Sequence, residues 1–352
     1  MAETEKANAD RILGELTLAR EQAHYRETER DLRARFPLAA SQLADPSGPV
    51  RLAGIFAMAS LADDWYALTL PNDRERQVCI DVLRAYLRTP MGRVPANATA
   101  DPNPELEIRQ TIVRVVRGRV LEDEGTGRSW KGANADLSGS WLAGASLIGV
   151  DLGDADLACA RLYGADLTDA DLVGANLAAA NLVGASLIRA DLSGAVLATA
   201  ILSDANLYHA DLHRANMYRA DLTCAELIRV NLARTDLHDA NLTRANLYRA
   251  DLTDATLTCS DLTGANLAGT NLTEANLTRA DLTGADLTGA NLTGAKLTGA
   301  TISGADTGED PDPTDTSVAS LFLSATRFTD VVYDARTKWP DDFRPPPSRD
   351  TY

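Results

Sequence analysis

A five-residue period runs through the middle of this sequence and excludes most ordinary folds for that part of the chain. From position 137 to position 302 every fifth residue is apolar, which makes 34 consecutive quintets. Leucine occupies 32 of these central positions, and Met217 and Ile302 occupy the other two. A period of five matches neither the 3.6-residue period of an α-helix nor the two-residue period of a β-strand. The segment is therefore an internal repeat with a fold of its own.

Each quintet also has a small residue two positions before its centre. This residue is nearly always alanine, and Asp or Asn usually stands between it and the centre. The departures from alanine include Ser140, Val150, Thr235, Ser260 and Thr270. A leucine and an alanine that both point inward can fill a narrow tube of stacked coils, which has no lateral edge. The expected structural core of the tube includes Leu187, Leu207, Met217, Leu227 and Leu247.

This A(D/N)Lxx pattern resembles that of the pentapeptide-repeat proteins over about half of the chain. The resemblance implies a β-solenoid of a particular kind, a right-handed quadrilateral β-helix with four quintets in each coil. The quintets then make about 8–9 coils and, at roughly 4.8 Å per coil, a rod of about 40 Å. The handedness follows from the resemblance alone.

The sequence before the repeat predicts a different class of structure. Residues 1–126 carry apolar residues at helical spacing and predict an all-α N-terminal domain, whose helical hairpins resemble HEAT or armadillo repeats. Its first helix is expected to include Ala7–Arg35 and to break at Pro37. Residues 127–134 are expected to form a linker or cap before the β-helix of residues 135–306.

The sequence after the repeat predicts a closing structure. Residues 307–320 are expected to form an acidic loop, and residues 321–340 a terminal coil and cap in which the five-residue spacing resumes. The expected C-terminal cap residues are Phe328, Tyr333 and Trp339. Residues 341–352 predict a disordered tail.

The outward positions in the middle of the repeat differ from those at its two ends. With 20 residues per coil, positions 20 apart stack on one face, so Ile and Tyr form one column and Arg and His form the next. The flanking quintets carry mostly Thr, Gly, Ala, Ser and Asp at these positions. We call the middle set the belt: Ile188, Arg189, Tyr208, His209, Arg214, Tyr218, Arg219, Ile228, Arg229, Arg234, Tyr248 and Arg249.

Two interpretations of the belt are open. In the first, Tyr and Ile merely favour a strand surface and pack along a ladder. The arginines would then only offset nearby carboxylates, namely Asp191, Asp211, Asp221 and Glu226. In the second, exposed apolar side chains beside arginine form the centre of a protein–protein interface. We favour the second and expect the belt to bind a protein partner or a second copy of the chain as a homodimer.

The sequence thus predicts a non-enzymatic protein–protein interaction scaffold. The alternative comes from the resemblance, because some pentapeptide-repeat proteins mimic duplex DNA and bind DNA gyrase, which protects against quinolones or a self-made topoisomerase poison. A net charge of −9 over residues 131–305 agrees with this alternative. Three departures oppose it. No central position carries Phe, and seven arginines between positions 189 and 249 interrupt the negative surface. Where such proteins often dimerise through a C-terminal Phe-rich coil, this chain has only Leu323, Phe328 and Tyr333.

Composition argues against several other classes of protein. A net charge of −16 and a pI near 4.7 are unlike those of a protein that binds nucleic acid directly. No secretory signal and no apolar run that could span a membrane are visible in this sequence, and its four cysteines form no CxxC pair, so we expect a cytoplasmic protein. No catalytic constellation or cofactor site is expected. His209 and His213 are four residues apart but fall on adjacent faces, so no metal site is expected either.

Overall fold

The computed structural model describes residues 2–68, 74–90, 104–121, 130, 136–303, 331–339 and 344–348. The chain divides into two compact units, one helical and one formed by the five-residue repeat. The helical unit comprises Met1–Tyr86 and Pro102–Ala135, and the repeat unit comprises Leu87–Asp101 and Asp136–Tyr352. The helical region predicted at the N-terminus is confirmed.

Four helices are present among the described residues. They are α1 (Ala2–Leu43), α2 (Gly48–Leu68), α3 (Arg74–Arg88) and α4 (Pro104–Leu121). α2 packs against both α1 and α4. Its buried residues include Ile55, Met58, Leu61 and Trp65, which form the centre of the helical unit.

The predicted break at Pro37 is wrong, because α1 continues through this residue to Leu43. Proline removes a backbone donor and costs about 3 kcal/mol in a helix interior. Packing after the proline offsets that cost, since Ala39 and Leu43 are almost completely buried. Gly54 of α2 allows the close approach of the two helices: a Cβ there would lie 2.7 Å from the backbone nitrogen of Leu43.

Trp130 is the one described residue of the segment predicted as a linker or cap, and it belongs to the helical unit. Its side chain is fully buried, and its indole N–H donates to Asp63 Oδ1 at 2.8 Å. The other carboxylate oxygen of Asp63 lies 3.1 Å from Arg119 Nε. Trp130 is therefore held against α2 and α4.

In the repeat unit the chain returns beside itself every 20 residues. From Trp141 to Asp281, the residue before each centre forms a parallel β-bridge with the residue 20 positions later, as Asn206 does with Glu226. Two hydrogen bonds close this bridge: Leu207 N–H donates to the Glu226 carbonyl at 2.8 Å, and Glu226 N–H donates to the Ala205 carbonyl at 2.9 Å. Within the described quintets each bridge is a single residue, because a turn follows it. The repeat thus folds as a solenoid.

A turn of constant geometry separates one quintet from the next. The N–H three residues after a centre donates to the carbonyl of that centre, as Ala210 does to Leu207 at 3.0 Å. The residue two after the centre, which we call the corner residue, has positive φ. The side chain of the Asp or Asn before the centre accepts a hydrogen bond from the backbone N–H of the residue after the centre. Asp211 Oδ1, for example, accepts from His213 N–H at 2.9 Å. Asp and Asn are suited to this position because their short side chains can cap a turn.

The centres and the small residues fill the interior of the solenoid. The five predicted core residues (Leu187, Leu207, Met217, Leu227 and Leu247) are fully buried. Hydroxyl groups that replace alanine inside are hydrogen-bonded to backbone carbonyls: Thr235 donates to Leu212 at 2.8 Å and Thr270 to Leu247 at 2.9 Å. Burial of these polar atoms is therefore compensated.

The ladder continues beyond the repeat with an insertion. Lys296 bridges to Val332 and Thr301 to Lys338, instead of to the residues 20 positions later. The rings of Tyr333 and Trp339, two of the predicted cap residues, are 5.2 Å apart in a T-shaped arrangement. Phe328 and the predicted acidic loop lie outside the described residues.

Residues 344–348, within the segment predicted as a disordered tail, contact the last described coil. Tyr333 Oη donates to the Pro346 carbonyl at 2.5 Å. Ser348 Oγ accepts from the Tyr333 N–H and donates to the Tyr333 carbonyl, both at 3.1 Å. The prolines restrict the unfolded chain, which lowers the entropy lost when these hydrogen bonds form.

Candidate partner-binding surface

One face of the solenoid carries two adjacent columns of belt residues. The backbone hydrogen bonds set the register, since Arg189 N–H donates to the Tyr208 carbonyl and His209 N–H to the Ile228 carbonyl, at 3.0 and 3.1 Å. Successive members therefore lie one coil, or about 4.8 Å, apart. The Ile/Tyr column consists of Ile188, Tyr208, Ile228 and Tyr248. The corner column beside it consists of Arg189, His209, Arg229 and Arg249.

The Ile/Tyr column is only partly covered. Tyr208 is 39% exposed, and Ile188, Ile228 and Tyr248 are half-buried. The rings of Tyr208 and His209 meet edge to face at 4.4 Å, and the Arg249 guanidinium lies 5.0 Å from the Tyr248 ring centroid. The column is thus an apolar stripe with cationic groups along one side.

The other belt residues lie on neighbouring faces. Arg214 and Arg234 stack at the corners of the next face, where Arg214 N–H donates to the Ala233 carbonyl at 3.1 Å. On the following face the Tyr218 ring stacks on His238 with centroids 5.6 Å apart, and the Arg219 guanidinium lies 5.9 Å from the Tyr218 ring. The belt therefore extends over three faces of the solenoid, and among its residues only the first face brings four apolar side chains together.

The structure places His209 at a corner of the first face and His213 on the next face. Within the described part of the chain, no group of three or more His, Cys, Asp or Glu side chains is arranged to hold a metal ion.

Belt arginines differ in their ion pairs. The Arg189 guanidinium donates to both carboxylate oxygens of Asp169, at 2.7 Å (Nε–Oδ1) and 2.6 Å (Nη2–Oδ2). This pairing holds the pKa of the Asp169 carboxyl below its usual value. Arg234 lies 3.5 Å from Asp254. Arg214 and Arg229, by contrast, form no ion pair or side-chain hydrogen bond with any residue that the structure describes.

The carboxylates proposed to offset the belt arginines have other hydrogen-bond partners. Asp191, Asp211 and Asp221 each accept the backbone N–H of the residue two positions later. Glu226 accepts from the Asn246 side chain at 2.8 Å. None of the four forms an ion pair with a belt arginine among the described residues. The first interpretation therefore applies to Arg189 and Arg234, which lie beside Asp169 and Asp254, and leaves Arg214 and Arg229 without an offsetting carboxylate among the described residues.

The charges of the solenoid fall into two structural classes. Of the 20 carboxylates in residues 131–305, 14 occupy the position before a centre, and all except Glu226 cap a turn there. The corner positions instead carry eight arginines and six carboxylates, a net charge of +2. Between 209 and 249 the corners carry six arginines and one aspartate. Acidity thus belongs to the repeat, whereas the freely variable positions in the middle are basic.

The absence of glycine from the corners in the middle of the solenoid is a further signal that the sequence carries. Glycine is the residue best suited to positive φ, and it occupies corners near both ends of the solenoid. From Thr199 to Cys259 every corner is a residue other than glycine, with φ between 55° and 60°. The stretch without corner glycine coincides with the belt from Tyr208 to Arg249, and Ile188 and Arg189 lie before it.

Comparisons with known proteins agree with the repeat. The family model described as pentapeptide repeats matches eight copies within residues 133–306. HetL, a pentapeptide repeat protein involved in heterocyst differentiation regulation in the cyanobacterium Nostoc sp. strain PCC 7120, is 39% identical over 47% of this chain and 82% of its own, with a TM-score of 0.23. A pentapeptide repeat protein of the Arabidopsis thaliana thylakoid lumen is 32% identical over 30% of this chain and 69% of its own, with a TM-score of 0.21.

A more distant likeness is to QnrB1, a plasmid-mediated fluoroquinolone resistance protein. It is 16% identical over 54% of this chain and 92% of its own, with a TM-score of 0.39. No curated protein matches the chain. None of the described helices has a stretch long and apolar enough to cross a membrane.

Proposed function

Because this chain belongs to the pentapeptide-repeat proteins, we propose that it is a non-enzymatic protein–protein interaction scaffold whose belt binds the partner. The observation that carries the proposal is the basic charge of the corners between 209 and 249. A side chain other than glycine at positive φ costs roughly 1 kcal/mol. The middle of the solenoid bears this cost at 13 successive corners, from Thr199 to Cys259, and six of them carry arginine.

Packing along the solenoid explains only part of the belt. The half-buried Ile and Tyr side chains cover one another, as a ladder of strand residues does. The arginines gain little from this packing, and Arg214 and Arg229 gain no ion pair within the described residues. Arginines beside an apolar stripe and without an ion pair among the described residues, as Arg229 and Arg249 are, are typical of a surface that binds another protein.

The proposal includes a finer description of the fold. The solenoid is taken as a right-handed quadrilateral β-helix of about 8–9 coils, with four quintets per coil, as its family implies. Such a rod is a regular support on which the belt residues keep fixed spacings. In this proposal the chain acts in the cytoplasm and without a cofactor, and its partner is another protein or a second copy of the chain.

The proposal is tested by quantitative affinity capture. Full-length wild type and the Arg229→Glu/Arg249→Glu variant are used as bait, and the captured proteins are quantified by mass spectrometry. Arg244→Glu is the matched control, because Arg244 is an exposed corner arginine on another face, also without an ion pair among the described residues. Loss of a specific protein with the double variant and its retention with the control are expected. An unchanged captured set would refute the belt as the site.

A second function, mimicry of duplex DNA toward DNA gyrase or another topoisomerase, is favoured by one observation. The net charge of −9 over residues 131–305 lies on a rod of about 40 Å, the length of about 12 base pairs. Most of these carboxylates cap the turns of the repeat, so the charge does not by itself require a partner. Inhibition of gyrase supercoiling by the purified protein, or protection of gyrase from a fluoroquinolone, would establish this function in place of the first.

A further inference from the structure

We infer that the segment bound by the first face of the belt is an acidic amphipathic α-helix that lies along the solenoid axis. Its apolar side would cover the Ile/Tyr column, and its carboxylates would pair with Arg229 and Arg249. This inference rests on the proposed function and specifies the chemistry of the partner.

Charge determines which side of the helix must be acidic. Arg229 and Arg249 are successive members of the corner column, so their backbones are one coil apart, and neither forms an ion pair with a described residue. On the opposite side of the Ile/Tyr column the side chains are polar, and Glu226 is already hydrogen-bonded to Asn246. Two neighbouring cations on one side favour a partner with carboxylates on that side and apolar residues beside them.

The backbone of the solenoid excludes binding by strand addition. On this face the N–H and carbonyl groups are already paired with the coils before and after, as in the bonds of Asn206 to Ala185 and of Arg229 to Tyr248, at 2.9 and 3.0 Å. An extended peptide would find no free edge and would gain no main-chain hydrogen bonds. A helix satisfies its own backbone and can bind through side chains alone.

The spacing of the columns also fits a helix better than a strand. Four rungs of the column span about 14 Å at 4.8 Å per coil. Three turns of α-helix advance about 16 Å, so apolar residues one turn apart stay within about 2 Å of their rungs. Residues on one side of a strand are about 6.8 Å apart and would be displaced by about 6 Å over the same rungs.

The inference is tested with fluorescein-labelled synthetic peptides of about 18 residues, long enough for five helical turns. The probe has leucines at i, i+4, i+7 and i+11 and glutamates along one side of this stripe. A glutamine version removes the charge, a permuted version with strict apolar–polar alternation favours a strand, and a version with a central proline breaks the helix. Binding to full-length protein is measured by fluorescence anisotropy.

We expect the acidic helical peptide to bind at least about tenfold more tightly than the other three. Arg229→Gln/Arg249→Gln should weaken its binding about tenfold, whereas Arg244→Gln should not. If the alternating or proline peptide binds as tightly as the acidic helical peptide, the inference of a helical partner is wrong. If the glutamine peptide binds as tightly, the inference of an acidic partner is wrong. If the protein self-associates and the double substitution abolishes this self-association, the face binds a second copy of the chain instead. If no peptide binds but affinity capture still depends on Arg229 and Arg249, the inference fails while the proposed function stands.

Discussion

Arg189 and Asp169 occupy equivalent corners of successive coils and form a two-point ion pair, with N–O distances of 2.7 and 2.6 Å. The hydrogen bonds from Arg189 lower the pKa of Asp169. A carboxyl whose pKa is lowered in the folded state stabilises that state above its unfolded pKa, and this stabilisation is lost as the pH falls through the folded pKa. Both side chains are exposed, so the contribution to stability is small.

The titration of Asp169 should therefore depend on Arg189. By NMR, we expect the Asp169 carboxyl to titrate below the usual value for aspartate in wild type and to return toward it in Arg189→Gln. Identical Asp169 titrations in the two proteins would show that the ion pair does not persist in solution.

The inward and outward assignments predict opposite sensitivities for two residues in one quintet. Leu227 is fully buried and Arg229 is exposed. We expect Leu227→Asp to destabilise the protein by at least about 4 kcal/mol, because it buries an unpaired charge. Arg229→Glu should change the stability by less than about 0.5 kcal/mol. Thermal unfolding followed by circular dichroism measures both, and comparable losses would contradict the assignment.

The period of five is sufficient to predict the interior of the solenoid and the stacking of positions 20 apart. Each centre, such as Leu207, repeats one local environment, so a single pattern determines its burial and its bridge partner. The pairing of Arg189 but not of Arg229 agrees with the same stacking, because the corner one coil earlier is Asp169 for the first and His209 for the second. The predicted break at Pro37 is wrong because local propensity favours a break, whereas the burial of Leu43 against α2 is a tertiary effect.

Corner glycines should be sensitive to substitution in a way that neighbouring glycines are not. Gly289 has a φ of 70°, and a Cβ added to it would meet open space, so Gly289→Ala tests backbone conformation alone. We expect a loss of about 1 kcal/mol. Gly153 follows a centre, has no positive φ, and would place a Cβ at ordinary contact distances of 3.5–3.7 Å. Chemical denaturation of Gly153→Ala should show no loss, and equal losses would refute the turn geometry.

Two helical glycines should respond in opposite ways to substitution by alanine, because only one of them lies where α1 and α2 approach closely. A Cβ at Gly54 would lie 2.7 Å from Leu43 N and 3.0 Å from the Gln42 carbonyl carbon. Because backbone cannot easily move aside, Gly54→Ala should destabilise the helical unit by about 1–3 kcal/mol. Gly118 of α4 has nothing within 4 Å, so Gly118→Ala should stabilise it by about 0.5–1 kcal/mol. Urea titration distinguishes them, and a neutral Gly54→Ala would contradict the described packing.

The cysteines should differ in reactivity according to their burial. Cys79 is buried among the helices, and this burial raises the pKa of its thiol to about 12, whereas Cys159 and Cys224 are exposed corner residues. We expect maleimide to label Cys159 and Cys224 in the native protein and Cys79 only after unfolding, as read by mass spectrometry.

The raised pKa of Cys79 also predicts a pH dependence of stability. The unfolded thiol ionises around its ordinary pKa of 9.0, whereas the folded thiol stays protonated until about 12. Between these values the unfolded state binds fewer protons, so the stability falls as the pH rises, by at most about 1.4 kcal/mol per pH unit for this group. Denaturation of wild type and Cys79→Ala from about pH 8 to about pH 11 isolates the effect. Parallel stability curves for the two proteins would show that Cys79 is not buried in the native state.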